Sequence, residues 1–301
     1  MLRGDVEQGP PGRLRGIGLM IATMALFATQ DGISRHLAAD HHPIFIVMIR
    51  YWAFAAFVVT LSANRPGGLR VVARTAHPLA QTARGLLLAA QICVVTYSFD
   101  RLGLAETHAI MSVYPLLVAA GGAIFLGERI AVVQWAAIAF GFVGVLIIVR
   151  PGSGVFEPFA LVPLLCAVGF ATYGILTRWV GKRDTAATSF FFTGIAGAAG
   201  ISLIGPFFWS ELTGSAWLFL AALCVIGASG HFLLIKAYET AEVAALQPFA
   251  YVQLMLASAI GVIVFNESLS ATLIVGSIIV VGAGLLALRA GTGAACRSVR
   301  R

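Results

Sequence analysis

Residues 105–135 read AETHAIMSVYPLLVAAGGAIFLGERIAVVQW, and residues 244–276 read AALQPFAYVQLMLASAIGVIVFNESLSATLIVG. At an offset of 139 residues, Gly122 falls on Gly261 and Glu128 on Glu267, and beyond the quoted stretches Arg150 falls on Arg289. Each stretch is an apolar run, a short break holding an acidic residue, and a second apolar run. A run of about 20 residues can cross the hydrocarbon layer as a helix. The pattern therefore predicts two membrane hairpins that arose by duplication.

The composition places the whole chain in a membrane. Of its 301 residues 59% are hydrophobic and only 11% are charged, with a mean hydropathy of +0.92. Soluble domains carry about a quarter charged residues, so we expect an integral membrane protein whose main partner is the lipid bilayer. The net charge of +7 comes from Lys and Arg in the gaps between apolar runs. These charges form no continuous basic face, so the sequence predicts no nucleic-acid partner.

The chain predicts an all-α integral membrane fold with ten transmembrane helices. Short connections between the runs make consecutive helices antiparallel neighbours, and each helix satisfies its own backbone groups in lipid. The ten apolar runs are Gly16–Ala38, Pro43–Ala63, Leu79–Phe99, Ala105–Leu126, Ile130–Val149, Phe159–Val180, Ala186–Phe208, Ser215–Ile235, Ala241–Phe265 and Leu269–Leu288.

The distribution of Lys and Arg predicts the orientation. With the N-terminus in the cytoplasm, 16 of the 20 Lys and Arg residues lie in cytoplasmic segments or their flanks, and three lie on the opposite side. The remaining one, Arg50, falls inside a helix. Cytoplasmic loops of membrane proteins carry such an excess of positive charge. We therefore expect a multi-pass protein of the cell inner (plasma) membrane with both termini cytoplasmic.

The duplication extends over the whole chain and predicts two inverted five-helix repeats. Phe27-Ala28-Thr29 matches Phe170-Ala171-Thr172 at an offset of 143 residues. Because five is odd, the two halves cross the membrane in opposite directions, which places a substrate site near the midplane between them. The predicted units are a cytoplasmic tail at 1–15, a first repeat at 16–150, a link at 151–158, a second repeat at 159–289, and a basic cytoplasmic tail at 290–301.

Two charges inside the predicted helices are candidates for a functional pair. Asp31 lies near the end of the first helix and Arg50 near the start of the second, so an antiparallel hairpin places both about 10 Å below the outer surface. Their counterparts in the second half are Gly174 and Thr193, so both charges are absent there together. Ionisable groups inside a membrane usually face a cavity or a partner. We expect an Asp31–Arg50 ion pair that gates the cavity or contacts a charged substrate, with a structural role or an Asp31–Arg35 pair as alternatives.

Polar residues near prolines are the candidates for substrate contact. Proline removes a helical hydrogen bond and can expose a carbonyl, and tyrosine offers an apolar face with a polar tip. Packing and helix bending are the alternative role. The candidates are Tyr114, Tyr251, Gln253, Gln247, Gln91 and Tyr173.

Two histidines could carry protons, because imidazole titrates near neutral pH. They are His108 and His231, and a structural or solvated role is the alternative for both. Glu128 and Glu267 follow the first run of each hairpin, and the preferred role for them is stabilisation of a helix N-terminus.

Several kinds of chemistry find no support in the sequence. The cysteines have no metal-ligand spacing, and no phosphate-binding glycine loop or protease motif occurs. We therefore expect no metal, no cofactor and no catalytic residue, and ATP-driven transport would need another subunit. A membrane enzyme would need a cluster of catalytic residues, and a scaffold would tolerate loss of the polar residues inside the helices. A membrane enzyme and a non-transporting scaffold remain the alternative function classes.

The chain resembles the EamA repeat of the drug/metabolite transporter superfamily. The resemblance lies in PLLVAAGGAIFLGERI and AVVQWAAIAFGFVGVLIIVRPG, while the second copy has Asn-Glu-Ser in place of Gly-Glu-Arg. LIKAYETAEVAALQPFAYVQL is similar to a branch with S-adenosylmethionine uptake carriers. The resemblance implies a secondary transporter of small organic metabolites that works by alternating access. Uptake of a cofactor-like solute and export of amino acids or drugs both remain open, as does a homodimer.

Overall fold

The computed structural model describes residues 10–127, 131–149, 158–240 and 246–298, and within these ranges the chain is helical without strands. The helices are α1 Pro10–Ala38, α2 Pro43–Ala63, α3 Gly68–Val72, α4 Pro78–Leu102, α5 Leu104–Met111, α6 Tyr114–Leu126, α7 Val132–Val149, α8 Leu161–Val180, α9 Ala186–Ile204, α10 Gly214–Thr240, α11 Tyr251–Phe265 and α12 Ala271–Ser298. Short 3-10 helices occupy Pro158–Ala160, Gly205–Phe208 and Gln247–Ala250.

Eight of the described segments are long and apolar enough to cross a membrane. They are Leu14–Ala38, Pro43–Ala63, Pro78–Leu102, Leu104–Leu126, Val132–Val149, Leu161–Val180, Ala186–Phe208 and Gly214–Leu234. Two shorter apolar helices, Tyr251–Phe265 and Ala271–Ala287, follow them. The expected all-helical, multi-pass membrane architecture is confirmed, whereas the count of ten spans stays a prediction.

The fourth apolar run is two helices rather than one. A turn at Ser112 and Val113 separates α5 from α6, and Pro115 follows directly. Proline has no N–H to donate to the carbonyl four residues earlier, and its ring crowds that carbonyl. The predicted fourth span, Ala105–Leu126, therefore contains a break, and the two pieces together still form one candidate span.

The two hairpin turns share the same local geometry. Helix α6 ends at Gly127 and helix α11 at Asn266, and both residues adopt left-handed backbone conformations, with φ of 68° and 54°. Their N–H groups donate to the carbonyls of Gly122 and Gly261, respectively. Both pairs keep the offset of 139 residues, so the equivalence seen in the sequence holds for the described part of each turn.

The outside of the helix bundle is apolar. Phe125, Leu165 and Ile263 are each at least 70% exposed, which is typical of a surface that faces lipid rather than water. Inside, helix α12 packs along α7 through small residues: a Cβ atom at Gly276 would lie 2.6 Å from the carbonyl oxygen of Gly144. Only glycine allows two membrane helices to approach this closely.

We predict that Gly276→Ala lowers the thermal unfolding midpoint of the purified protein by several degrees, because the added methyl group meets backbone of α7. Gly282→Ala is the matched control, since a Cβ atom at this position in the same helix meets no atom within 4 Å. Thermal unfolding followed by tryptophan fluorescence in detergent measures both. Equal midpoints for the two variants would contradict the predicted contact.

Candidate functional site

A small cavity lies between the first and second halves of the chain. Helices α2 and α4 supply Arg50, Tyr51 and Leu88 to its wall, and helix α10 supplies Cys224 and His231. Its volume is about 30 Å³, which is space for about two water molecules. Pockets for whole metabolites are about tenfold larger, so this space is too small for a whole metabolite.

The polar groups at the cavity lack partners. Among the described residues Arg50 has no hydrogen bond or ion pair. Tyr51 is 4% exposed, and its hydroxyl has no hydrogen-bond partner. Gln30 on α1 is also buried, and its Oε1 atom has no partner either. Buried polar groups are usually satisfied, so this cluster is exceptional.

The expected ion pair between Asp31 and Arg50 is not formed. Asp31 Oδ2 instead accepts a hydrogen bond of 2.8 Å from Gln253 Nε2 and lies 3.0 Å from His108 Nε2. Side chains of α5 and α11 hold Asp31, whereas Arg50 lines the cavity beside α10. The alternative Asp31–Arg35 pair is also not formed, since Arg35 has another acidic partner.

That partner is Glu267, which joins three separate parts of the chain. Its carboxylate forms an ion pair with Arg35 of α1. It also accepts hydrogen bonds of 2.7 and 3.0 Å from the N–H groups of Leu104 and Ala105, at the start of α5. A carboxylate at a helix N-terminus satisfies unpaired N–H groups and is attracted by the helix dipole. The expected helix-capping role therefore belongs to the N-terminus of α5, whereas Glu128 lies outside the described residues.

Gly103 makes room for this carboxylate. It joins α4 to α5 with φ of 88°, a conformation that side chains disfavour. A Cβ atom here would lie 2.7 Å from Glu267 Oε1. We refer to Glu267, Arg35 and the first N–H groups of α5 as the Glu267 network.

A second polar network lies at the other end of α4, around the buried side chain of Arg84. Its guanidinium donates to Gln81 Oε1, to the Ser189 carbonyl, to Tyr173 Oη at 2.9 Å and to Thr177 Oγ1 at 3.1 Å. The Arg84 side chain is only 1% exposed, so these neutral acceptors replace the water that it loses. We call this group the Arg84 network.

Asp184, in the turn between α8 and α9, extends the Arg84 network. It accepts hydrogen bonds from Thr75 Oγ1, from the Ala76 N–H at 2.8 Å and from Gln81 Nε2 at 2.9 Å. Burial alone would raise the pKa of this carboxyl, but the three hydrogen bonds outweigh it and hold the pKa below its ordinary value. The carboxylate form is thereby favoured in the folded protein.

Both networks and the cavity lie along one helix. Arg84 is near the start of α4, Leu88 lines the cavity, and Gly103 follows the end of the helix. At 1.5 Å per residue Arg84 and Gly103 are about 28 Å apart along the axis. Each network ties residues before 150 to residues after 158, so polar contacts between the halves close both ends of the bundle.

Of the six residues predicted to contact substrate, none of the five whose side chains the structure describes lines the cavity. Tyr173 binds Arg84 and Gln253 binds Asp31, while the half-buried Tyr114 packs near Phe170. The side chains of Gln91 and Tyr251 are buried, and their polar atoms lack partners. The side chain of Gln247 lies outside the described part of the chain.

The two histidines occupy different surroundings. His108 is half-buried between Asp31 and the ring of Phe99, whose centroid is 5.3 Å away. His231 lines the cavity, and its ring contacts those of Phe27, Phe54 and Phe190. The described residues include no cluster of three metal-binding side chains.

Two residues of the polar network and the cavity were not among the residues predicted from the sequence. Arg84 was counted among the cytoplasmic flanking charges. It is, however, the sixth residue of the run Leu79–Phe99 and lies three residues after Gln81, and this spacing could have indicated a buried polar face of the helix. Nothing in the sequence singled out Tyr51, which directly follows Arg50 in an otherwise apolar run.

The sequence profile of the EamA-like transporter family matches residues 14–150 and again residues 158–289. The chain is similar to an S-adenosylmethionine uptake transporter of Rickettsia bellii, at 26% identity over 90% of this chain and 92% of that protein. It is similar to a riboflavin transporter of Brucella anthropi, at 26% identity over 91% of this chain and 98% of that protein. It is also similar to the pseudopaline exporter CntI of Pseudomonas aeruginosa, at 24% identity over 88% and 93%.

A solved crystal structure shares the fold. It superimposes with a TM-score of 0.61 at 20% identity and covers 92% of this chain and 96% of its own.

We predict that Glu267→Ala lowers the free energy of unfolding by about 1–3 kcal/mol, because it leaves Arg35 unpaired and two N–H groups of α5 unsatisfied. Glu211→Ala is the control, since Glu211 is exposed in the connection between α9 and α10. Equilibrium unfolding in mixed micelles measures both variants. A loss for Glu267→Ala no larger than for the control would refute the bridging role.

The lowered pKa of Asp184 predicts a pH dependence of stability. A carboxyl whose pKa is lower in the folded state stabilises the fold above its unfolded pKa of about 3.9, and this contribution is lost as the pH falls towards the folded value. The unfolding midpoints of wild type and Asp184→Asn should therefore differ at pH 7 and converge on acidification through pH 4. The exposed Asp40→Asn serves as control, and a constant difference at all pH values would count against the mechanism.

Proposed function

Because the chain belongs to the EamA-like transporter family, and is thus a membrane transporter rather than an enzyme, we propose that it carries a small organic metabolite by alternating access. The two halves rock against each other around a site between them, and no ATPase subunit takes part. Transport then needs contacts at each end of the bundle that can break in turn.

The observation that supports this mechanism is the pair of networks at opposite ends of α4. The Glu267 network joins α1 and α5 to the turn after α11, and the Arg84 network joins α4 to α8 and α9. The Glu267 network consists of an ion pair and hydrogen bonds, and the Arg84 network consists of hydrogen bonds. Such polar contacts can exchange with water, whereas the apolar contact of α7 with α12 has no such exchange. The small cavity between the networks fits an occluded intermediate in which both ends are closed.

The proposed topology has ten spans in two inverted repeats. It adds the two shorter apolar helices, Tyr251–Phe265 and Ala271–Ala287, to the eight longer segments. The excess of Lys and Arg then places both termini in the cytoplasm and the protein in the inner membrane. In this orientation the Glu267 network closes the outer side and the Arg84 network closes the cytoplasmic side. The oligomeric state, including a homodimer, is not part of the proposal.

The proposed direction is uptake, and the proposed solute is cofactor-like. The Rickettsia bellii relative is an S-adenosylmethionine uptake transporter and the Brucella anthropi relative is a riboflavin transporter, and each is similar to this chain over about nine-tenths of its length. Export is the second candidate, because the pseudopaline exporter is similar over nearly the same length.

We propose that polar residues outside the cavity contact the solute in conformations in which a network has opened. When the networks open, the space around α5, α8 and α11 widens, and polar side chains there can reach the solute. His108 is the proposed site of proton coupling because it contacts Asp31 in the Glu267 end of the bundle, with His231 at the cavity as the second candidate. The proposed contacts are Tyr114, Tyr251, Gln253, Gln247, Gln91 and Tyr173.

We predict that the purified protein in liposomes takes up radiolabelled S-adenosylmethionine or riboflavin, at a rate that saturates with solute concentration. Empty liposomes and liposomes with heat-denatured protein are the controls. If His108 couples a proton, an inward proton gradient should accelerate uptake, and His108→Gln should abolish that acceleration. Uptake of neither solute above the controls would reject the cofactor-like substrate, and efflux of preloaded amino acids in the same vesicles would favour export.

A further inference from the structure

The cavity presents more hydrogen-bond donors than acceptors. Arg50 contributes a guanidinium with five N–H groups and no partner among the described residues, and Tyr51 adds an unpartnered hydroxyl. The carboxylate that interacts with Arg50 electrostatically, Asp31, already contacts His108 and Gln253. Arg50 is half-buried, and a cation inside a membrane protein without a hydrogen-bonded counter-ion is costly, so an anion from outside the chain would complement it.

The hydrogen-bond donors at the cavity determine which chemical group can bind there. A guanidinium matches a carboxylate with two parallel hydrogen bonds, and Tyr51, the next residue of the helix, can donate a third. The cavity volume of about 30 Å³ suits one such group, while the rest of a metabolite needs the bundle to open. Phe54, Ile92 and Leu223 form apolar walls, which suit the apolar atoms of the solute next to its carboxylate.

Gln30 adds a partner for a group beside the carboxylate. A Cβ atom at Gly227 would lie 2.7 Å from Gln30 Oε1 and 4.0 Å from Arg50 Nη2, so both side chains face the same point of α10. The Oε1 atom has no hydrogen-bond donor. An amino group next to the carboxylate could donate to it, as in an α-amino acid.

We propose that Arg50 and Tyr51 form the binding site for the carboxylate of the transported solute. This inference rests on the proposed transport function and narrows its substrate class. It favours solutes that carry a carboxylate, such as S-adenosylmethionine, over riboflavin, which has none. Arg50 then selects the solute, in contrast to a gating residue, which would affect all solutes equally.

The test compares matched solutes that differ in one group. Purified full-length protein in nanodiscs is titrated with S-adenosylmethionine and decarboxylated S-adenosylmethionine, and separately with methionine and methioninamide. Thermal stabilisation and equilibrium dialysis report binding. In at least one pair, wild type should bind the solute with the carboxylate about tenfold or more tighter than the solute without it. Such a difference is expected for a charge-assisted contact.

Variants then locate the discrimination. Arg50→Gln should reduce the ratio of the two affinities within that pair to about twofold or less, and Arg50→Lys should keep part of the difference. Tyr51→Phe should lower the same ratio about three- to fivefold. Arg101→Gln is the control, because Arg101 is exposed at the end of α4 beside Asp100. Tyr51→Phe retains the charge and keeps the test valid if Arg50→Gln does not fold.

The outcomes separate this inference from the transport function. Equal binding within both pairs by wild type, or an unchanged ratio in folded Arg50→Gln, would overturn the carboxylate site. Saturable uptake of riboflavin together with equal binding would leave the transport function intact and overturn only this inference. Discrimination that depends on Arg50, without uptake in liposomes, would support the site and count against transport.

Discussion

The carboxylate of Glu267 holds together the end of the bundle at which α1, α5 and α11 meet. In an apolar medium each buried charge and each free N–H group at a helix end must find a partner inside the protein. Glu267 serves Arg35 and the first two N–H groups of α5 at once. Its reach depends on Gly103, whose left-handed backbone lets α5 begin directly beneath the carboxylate. One residue after α11 thereby fixes how the second half meets the first.

At the opposite end of the bundle, the partners of the buried charge are neutral groups. Arg84 is fully buried, yet its donors are directed at Gln81, Ser189, Tyr173 and Thr177 rather than at a carboxylate. Asp184 lies one step further out, bound to Gln81. Each of these contacts is a hydrogen bond that water can replace when this end of the bundle opens. Such contacts suit a transporter, which must open each end without crossing a large energetic barrier.

The cavity contrasts with both ends. There the polar groups of Arg50, Tyr51 and Gln30 have no protein partner among the described residues. A structural network would be expected to close on itself, as the other two do. Unsatisfied groups at the seam between the halves are what a transient ligand requires, since binding then replaces missing contacts instead of competing with existing ones. The substrate preference of this family member is therefore expected to lie in these few side chains.

The sequence by itself determined the membrane class, the helical architecture and the duplication. Those depend on local properties, namely the length and hydropathy of each run and the recurrence of Gly122, Gly127 and Glu128 as Gly261, Asn266 and Glu267. It also identified Asp31 and Arg50 as unusual, because charge within an apolar run is visible without a structure.

Only the tertiary structure decided the partners of these charges. Asp31 contacts His108 and Gln253, which lie 77 and 222 residues away along the chain, and Arg35 contacts Glu267 across 232 residues. Depth along a helix can be counted from a sequence, but the direction in which a side chain points around the helix axis depends on which neighbours pack there. For that reason the sequence placed Asp31 and Arg50 at one level and paired them, whereas in the folded chain Asp31 contacts side chains of α5 and α11 instead.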